Sequence, residues 1–575
     1  MDYRERYDAW MSDPALDEAT KKELLNITDE NELADRFYRD LEFGTAGLRG
    51  IMGAGSNRMN AYTVGRATQG LSNHLLTLAG APEKGVVVAF DSRRKSDEFA
   101  LRAALILAAN GIRAYLFPGI RAVPQLSFSI GYLKCAAGIV ITASHNPKEY
   151  NGYKVYSDNG AQINPETADC ITKEIEAVPD FSAIRLIPQD EARAAGLLVT
   201  VSAEADEAYY QYTMSLALDK SVLSAAKDLS VVYTPLFGAG NVPVTRVLTA
   251  VGVKKLSVVP SQRDPNGDFP GLVAPNPETA EAFIEAKKLA EKTGADLILA
   301  TDPDSDRLGV AVKEGGGFLA LTGNQIGCLA LHYRLMKLKE QGRLPKDGFV
   351  VKSIVSTNFA NAICESFGVR VDEVLTGFRF IGEKIDEAEK SGSGSFLFGF
   401  EESYGFLSGT RVRDKDAVCA ALMIAETAAY YSLRKMTLLD GLNELYAEYG
   451  CYKEGVKSFT LYGEEGMEQI NAAMKNLREN PPKTVFDRDV KALRDYSEGC
   501  RVSDGVRVPL GLPKSNVLYY ELGNGDWLCC RPSGTEPKLK VYAGASEPCE
   551  KDAKARVDAY VRAAVKLLGM EKQGS

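Results

Sequence analysis

GVVVAF at residues 85–90, EFALRAALILAANGI at 98–112, AYLFPGI at 114–120 and AGIVITAS at 137–144 decide the fold class. Short β-rich runs alternate with a helical stretch, which is the βαβ signature of a layered α/β domain. The pattern restarts with LSVVYT (229–234), KKLSVVP (254–260), a Pro/Gly/Asn-rich loop QRDPNGDFPGLVAPNPE (262–278), a helix and ADLILAT (295–301). It restarts again with a helix, GNQIGCLALHYRLMKL (323–338), and the strands FVVKSIV (349–355) and SGSFLFGF (393–400). Three similar α/β units in series therefore repeat an architecture without repeating a sequence.

The chain of 575 residues is longer than one hydrophobic core supports. A helical extension is expected over 1–40, where DEATKKELL offers Asp17 as a helix cap. The α/β domains are expected over 41–203, 204–322 and 323–455. A smaller α+β domain over 456–575 is expected to close the chain, with the strand-rich VLYYELGNGDWLCCRPSG (517–534) ahead of an amphipathic helix (547–568).

Composition narrows the function classes. With 68 basic and 77 acidic residues the net charge is -9, against a broad nucleic-acid or membrane surface. MDYRERYDAW at the start has no apolar run of a signal peptide and no stretch approaches a membrane span, so the expected location is cytoplasmic. The ten cysteines form no CxxC pair, and a disulfide between the adjacent Cys529 and Cys530 would be strained, which predicts reduced thiols. Three scattered histidines make a histidine-rich zinc site a poor fit.

Four loops carry candidate chemistry. In ITASHNP (141–147), Ser144 stands at the carboxyl end of a strand, where open α/β sheets present ligands, and Asn146 with Pro147 turns the chain. The GxSxG elbow of the hydrolases is missing, which disfavours acyl transfer, although a turn-capping serine would look the same. In TDPDSDRLGV (301–310), Asp302, Asp304 and Asp306 recur with period two, so an extended segment would aim all three carboxylates one way. At about 4 Å and an effective dielectric of about 20, each like-charge pair costs roughly 4 kcal/mol, so convergence calls for a cation. An EF-hand would need Gly at Arg307 and Glu at Lys313; three oxygen ligands with open positions suit Mg²⁺ shared with a phosphate. In RPSGTEPKLKVY (531–542), Arg531 can grip a phosphate while Ser533, Gly534 and Thr535 cradle it. In GFEESYG (399–405), Glu401, Glu402 and Ser403 offer acceptors for sugar hydroxyls, and capping acids would read alike. LTGFRFIGEK and RVRDKDAV (411–418) add polar and basic loops nearby.

In this order, FGTAGLRG (43–50), TASHNP with NGYK (151–154), DPDSDR (302–307), TGFRFIG (376–382), EESYG and RPSGTEPKLK resemble the phosphohexomutase family across essentially the whole chain. The resemblance implies three α/β domains and a smaller fourth around one central cleft. It implies Ser144 as a phosphoserine, one Mg²⁺ per chain on Asp302, Asp304 and Asp306 with Arg307 in support, and Arg49 and Lys154 beside the phosphoserine. Thr376, Gly377, Arg379, Glu401 and Ser403 match the substrate loops, and Arg531, Ser533, Gly534 and Thr535 the distal phosphate loop. The implied partners are small sugar phosphates, with glucose 1,6-bisphosphate as intermediate and activator. EES resembles the glucomutase branch, which implies interconversion of glucose 1-phosphate and glucose 6-phosphate. Pentose or mannose phosphate mutation, and from other classes a metal-dependent phosphatase or a sugar-phosphate sensor, are the alternatives. For the proton-accepting base, Lys154 is preferred over His145, because neighbouring side chains such as Ser144 and His145 seldom converge.

Overall fold

The computed structural model describes residues 2–44, 47–461, 463–533 and 538–570. Strand Val86–Phe90 is the centre of the first unit, with Ala114–Leu116 parallel on one side and Ala137–Ile141 parallel on the other. All five residues of Ala137–Ile141 are buried, which is why the run is continuously apolar rather than alternating. The chain then reverses at once, and Tyr150–Ser157 pairs antiparallel with the strand it has just left, Val140 opposite Lys154. Gly152 on this return strand is required: a side chain there would meet Thr142 O at 2.5 Å and Leu48 O at 2.9 Å. Leu48–Ile51 and Leu198–Thr200 complete a six-stranded sheet.

The second unit repeats this plan. Ser230–Thr234 lies between the parallel strands Lys255–Val258 and Leu297–Thr301, and Leu308–Glu314 returns antiparallel to the latter. In the third, Gly348–Ser353 lies between Arg370–Val374 and Ser395–Glu401, and Gly405–Leu407 returns. In each unit the return turn comes after the same strand of the same order, at residues 142–149, 302–307 and 402–404. Every one contains a non-glycine residue in the left-handed region: Ser144 and Ser305 at φ 53°, Tyr404 at φ 65°.

The second and third units share one apolar core, which runs from Val231 and Leu299 through Leu331 to Phe398. Helix Ala417–Leu433 is buried around nearly its whole circumference and is pinned at its start by Asp416, which accepts from the Cys419 amide and from Tyr209 of the neighbouring unit. The fourth unit is an all-antiparallel sheet covered by helices Gly463–Glu479 and Glu550–Leu567. Its first strand, Cys451–Thr460, pairs along its entire length with Lys538–Glu547, so we propose that this unit starts at Cys451 rather than at residue 456. It docks on the third through Asn324 to Glu454 at 2.9 Å and through Glu373, which takes Lys352 and Arg494 at 2.9 and 2.6 Å.

Three helices, Tyr3–Ser12, Glu18–Leu25 and Glu30–Phe37, form the N-terminal extension, and Asp17 caps the second as its sequence position suggests. Trp10 anchors them edge-on to Phe37, Tyr62 and Phe181. All ten cysteines are free thiols; Cys529 and Cys530, on successive positions of one strand, pack into different cores. Among the described residues no helix is long and apolar enough to cross a membrane.

Candidate active site

The three return turns converge. Ser144 Oγ donates to Asp302 Oδ2 at 2.7 Å, which joins the turn of the first unit to that of the second. Thr142 fixes the serine from below: its hydroxyl accepts from the Ser144 amide at 2.8 Å and bonds to Asp91 at 2.6 Å, with Asp304 Oδ2 at 3.1 Å. From the third unit, Lys415 Nζ reaches Asp306 Oδ2 at 3.2 Å and Asp414 at 2.9 Å. Leu308 donates to Tyr404 O, and Arg307 forms a bridge pair with Gly405, so the third turn is bonded directly to the second.

The carboxylates at 302, 304 and 306 do meet, with candidate ligand oxygens within 4.8 Å of one another. They meet in a turn, however, and not on the extended segment expected from their spacing. Ser305 donates to Asp302 O, and the amides of Asp306 and Arg307 donate to Asp302 Oδ1 at 3.1 and 3.0 Å, so backbone hydrogen bonds wind the segment. Burial, then the charges of Asp304 and Asp306, pushes the Asp302 carboxyl well above the usual range. Burial acts on Asp306 in the same direction, but Lys415, Lys154 and Arg307 outweigh it and hold that carboxyl down. Asp304 Oδ1 and Asp306 Oδ1 are buried with no hydrogen-bond partner. Orphaned carboxylate oxygens on a shared, water-excluded floor fit a hard divalent cation.

A correction concerns the residues around the serine. Ser144 and His145 converge, Oγ lying 3.1 Å from Nδ1, because the left-handed backbone at Ser144 swings neighbouring side chains to one side. Burial, then Arg307 and Arg49, holds His145 well below the usual imidazole range. Lys154 donates to Asp304 Oδ2 at 3.0 Å and lies 3.6 Å from Asp306, a charge partner of the carboxylate floor. Arg49, on the edge strand opposite Gly152, is exposed.

The sugar-loop candidates adjoin the carboxylate floor, near enough for Lys415 and Arg307 to act on Glu401. Gly377 N donates to Glu401 Oε1 at 2.6 Å, which ties Thr376–Gly377 to the end of strand Ser395–Glu401. Burial, then Glu402, raises the Glu401 carboxyl to about 7. Ser403 is half-buried beside it. Arg379 opens helix Arg379–Ser391, half-buried with its guanidinium over Phe380, and burial, Glu383 and the nearby positive charge of Arg531 all act on it. Arg531 and Lys540 both act on Glu402. The fourth unit thus presents Arg531 to the third unit's turn; Ser533 N bonds Lys538 O, while Gly534 and Thr535 lie outside the described residues.

Models of the four Phosphoglucomutase/phosphomannomutase domains match in order: alpha/beta/alpha domain I over residues 40–180, II over 207–316, III over 322–449 and the C-terminal domain over 469–564. The chain belongs to the phosphoglucomutase/phosphomannomutase family. A Staphylococcus aureus protein named phosphoglucomutase is 36% identical over 535 residues, covering 92% of this chain and 94% of its own. Among solved structures, a putative phosphomannomutase from Thermus thermophilus matches with TM-score 0.68 at 24% identity, over 92% of this chain and 99% of its own. Parafusin from Paramecium in its open form matches with TM-score 0.70 at 17% identity, over 94% and 97%. At those identities the two structures bear on the fold alone.

Within this member of the family, four residues near the serine carry no role in the sequence reading: Asp91, Arg93, Thr142 and Lys415. Asp91 and Arg93 come directly after strand Val86–Phe90, at the sheet edge where α/β folds place their ligands. That position is the signal that would have found them.

Proposed function

We propose that the protein is a phosphoglucomutase that interconverts glucose 1-phosphate and glucose 6-phosphate, with Ser144 carried as phosphoserine and glucose 1,6-bisphosphate as intermediate and activator. The carrying observation is Ser144 Oγ, 2.7 Å from Asp302 on a floor of three buried carboxylates. A serine aimed at carboxylates is poorly placed for acyl transfer. The same serine beside a cation site suits the carriage of a dianion.

Asp302, Asp304 and Asp306 would hold one Mg²⁺, which when bound offsets the charge of the transferring phosphoryl group. The free hydroxyl of the sugar phosphate attacks the phosphorus of phosphoserine; the P–Oγ bond breaks, a P–O bond to the sugar forms, and the hydroxyl proton ends on Ser144 Oγ. His145, 3.1 Å from that oxygen, can exchange a proton with it, as can Asp302 at 2.7 Å when it is not engaged by the metal. Lys154 and Arg49 counter the phosphoryl charge, with Arg307 supporting the metal turn. Thr376, Gly377, Glu401 and Ser403 read the sugar hydroxyls, while Arg379, Arg531 and the 533–535 loop hold the phosphate that is not reacting. The bisphosphate then turns round within the site and returns its other phosphoryl group to Ser144, with no net hydrolysis. The choice of glucose is supported by the similarity to the Staphylococcus aureus phosphoglucomutase.

The test is incubation of the purified protein with glucose, ribose or mannose 1-phosphate, with and without a hexose 1,6-bisphosphate and Mg²⁺. Fastest isomerisation is expected for glucose 1-phosphate. Release of inorganic phosphate in place of isomer would identify a phosphatase, and preference for ribose 1-phosphate a pentose mutase.

A further inference from the structure

Arg93 is 3% exposed, and its guanidinium is wrapped in the loop that carries Ser144. Nη2 donates to Ser144 O at 2.6 Å and to Asn146 O; Nη1 donates to Pro147 O at 2.8 Å and Tyr150 O at 3.0 Å. One side chain therefore gathers four carbonyls of a single tight turn, which only the planar fork of arginine can do. Ser144 itself is left-handed, a strained state for a residue with a Cβ that persists only where its surroundings impose it. Thr142 holds its amide and Arg93 holds its carbonyl.

The second unit covers this arginine. Phe269, 1% exposed and itself left-handed at φ 44°, places its ring 5.1 Å from the Arg93 guanidinium. It belongs to the loop QRDPNGDFPG, whose Gly267 passes so close to Ser92 and Arg94 that a Cβ would lie 2.5 Å from Arg94 N. The same unit's Phe237 pairs with the start and the middle of that loop, donating to Gln262 O and accepting from Asn266 N, and two residues later the Ala239 amide donates to Pro303 O within the metal turn. The cover on Arg93 and the carboxylate floor thus share one scaffold.

We propose that Arg93, clamped by Phe269, is the positioning residue of the phosphoryl-carrying turn, keeping Ser144 Oγ on Asp302 while the phosphoryl group leaves and returns. The inference rests on the mutase reading for its kinetic consequence and on geometry alone for its structural one.

Both are measured on Arg93→Ala, Arg93→Lys and Phe269→Ala, with hydrogen exchange followed by mass spectrometry beside steady-state kinetics. A displaced nucleophile predicts about a 100-fold fall in kcat for Arg93→Ala with KM little changed. Arg93→Lys should lose less, and Phe269→Ala, which leaves the four carbonyl bonds in place, less again. Amide exchange should rise over residues 144–150 and stay unchanged in strands Val86–Phe90 and Ala137–Ile141. Should Arg93→Ala fail to fold, the other two variants carry the test. Wild-type kcat in a folded variant, a loss confined to KM, or faster exchange spread evenly through the first sheet would overturn the proposal. If the unmodified protein itself isomerises nothing, the mutase reading fails, and the exchange pattern alone decides the role of Arg93.

Discussion

Ser144 and Ser305 occupy corresponding turns of two neighbouring sheets, both at φ 53°, both buried. One hydroxyl points at a carboxylate 2.7 Å away; the other has no hydrogen-bond partner and lies against Gly240, whose added Cβ would come within 2.4 Å of it. The repeat therefore supplies geometry and leaves chemistry open. A strand that must reverse at once into an antiparallel neighbour needs a left-handed residue, at a cost of about 1–3 kcal/mol when it is not glycine. Each unit meets that need and displays the side chains of the turn that leads into its antiparallel return strand. The first presents a hydroxyl, the second three carboxylates and the third Glu401 to Ser403. The fourth unit, all antiparallel, also carries left-handed residues in its turns, Phe486, Asp504 and Asn524, but what it contributes to the site is Arg531, from the end of a strand.

If the first two turns divide the labour in this way, their variants should fail differently. Ser144→Ala should reduce isomerisation to background while leaving Mg²⁺ binding, followed by calorimetry, intact. Asp304→Asn should lose most activity through the metal, with an affinity loss larger than the roughly 10–100-fold that outer-shell changes cost. Normal metal affinity in Asp304→Asn would break the comparison at its centre, and turnover by Ser144→Ala would break it at the nucleophile.

The third turn and the fourth unit are separated by smaller effects. Removing a charged hydrogen-bond donor costs about 1.5–3 kcal/mol, so Arg531→Ala should raise KM for glucose 1-phosphate roughly 10–100-fold, with kcat less affected. Glu401 titrates instead. With its carboxyl raised to about 7, it takes up a proton as pH falls through neutrality and loses acceptor strength toward sugar hydroxyls. The acid limb of kcat/KM should therefore bend near pH 7, and Glu401→Gln should remove that bend. The second ionisation of the substrate phosphate is common to both proteins and cancels in the comparison. An identical pH profile in the variant would assign the bend elsewhere.

Much of this was legible in the residue string, and for identifiable reasons. Runs such as GIVIT and LILAT are buried on both faces, so their apolar continuity marks the strands, and the polar motifs directly after them mark the turns. The return strand Tyr150–Ser157 was not legible, because YNGYKVYS mixes aromatic, polar and charged residues and its burial comes from neighbours on both sides. Convergence of the three aspartates was expected on the wrong backbone: hydrogen bonds to Asp302, not strand periodicity, bring them together. The contact of His145 with Ser144 depends on a positive φ at a serine, which residue identity does not announce. Arg93 takes its meaning from carbonyls between 144 and 150, contacts that no local pattern encodes.

Ser305→Gly is the smallest expected effect and the sharpest test of the comparison. Glycine adopts the left-handed region freely, and the Ser305 hydroxyl makes no hydrogen bond, so its removal relieves backbone strain and withdraws one unsatisfied buried polar group. Against this stands the loss of contact with Gly240 and the greater freedom of glycine in the unfolded chain. The opposing terms are each about 1 kcal/mol, so chemical denaturation should shift by no more than about that amount, with activity close to that of the parent. Ser144→Gly, the same substitution at the corresponding turn, should leave the fold equally intact and abolish turnover. Loss of activity in both variants would mean that the turn at 305 does more than hold a shape, and that the two serines divide the chemistry less cleanly than their surroundings suggest.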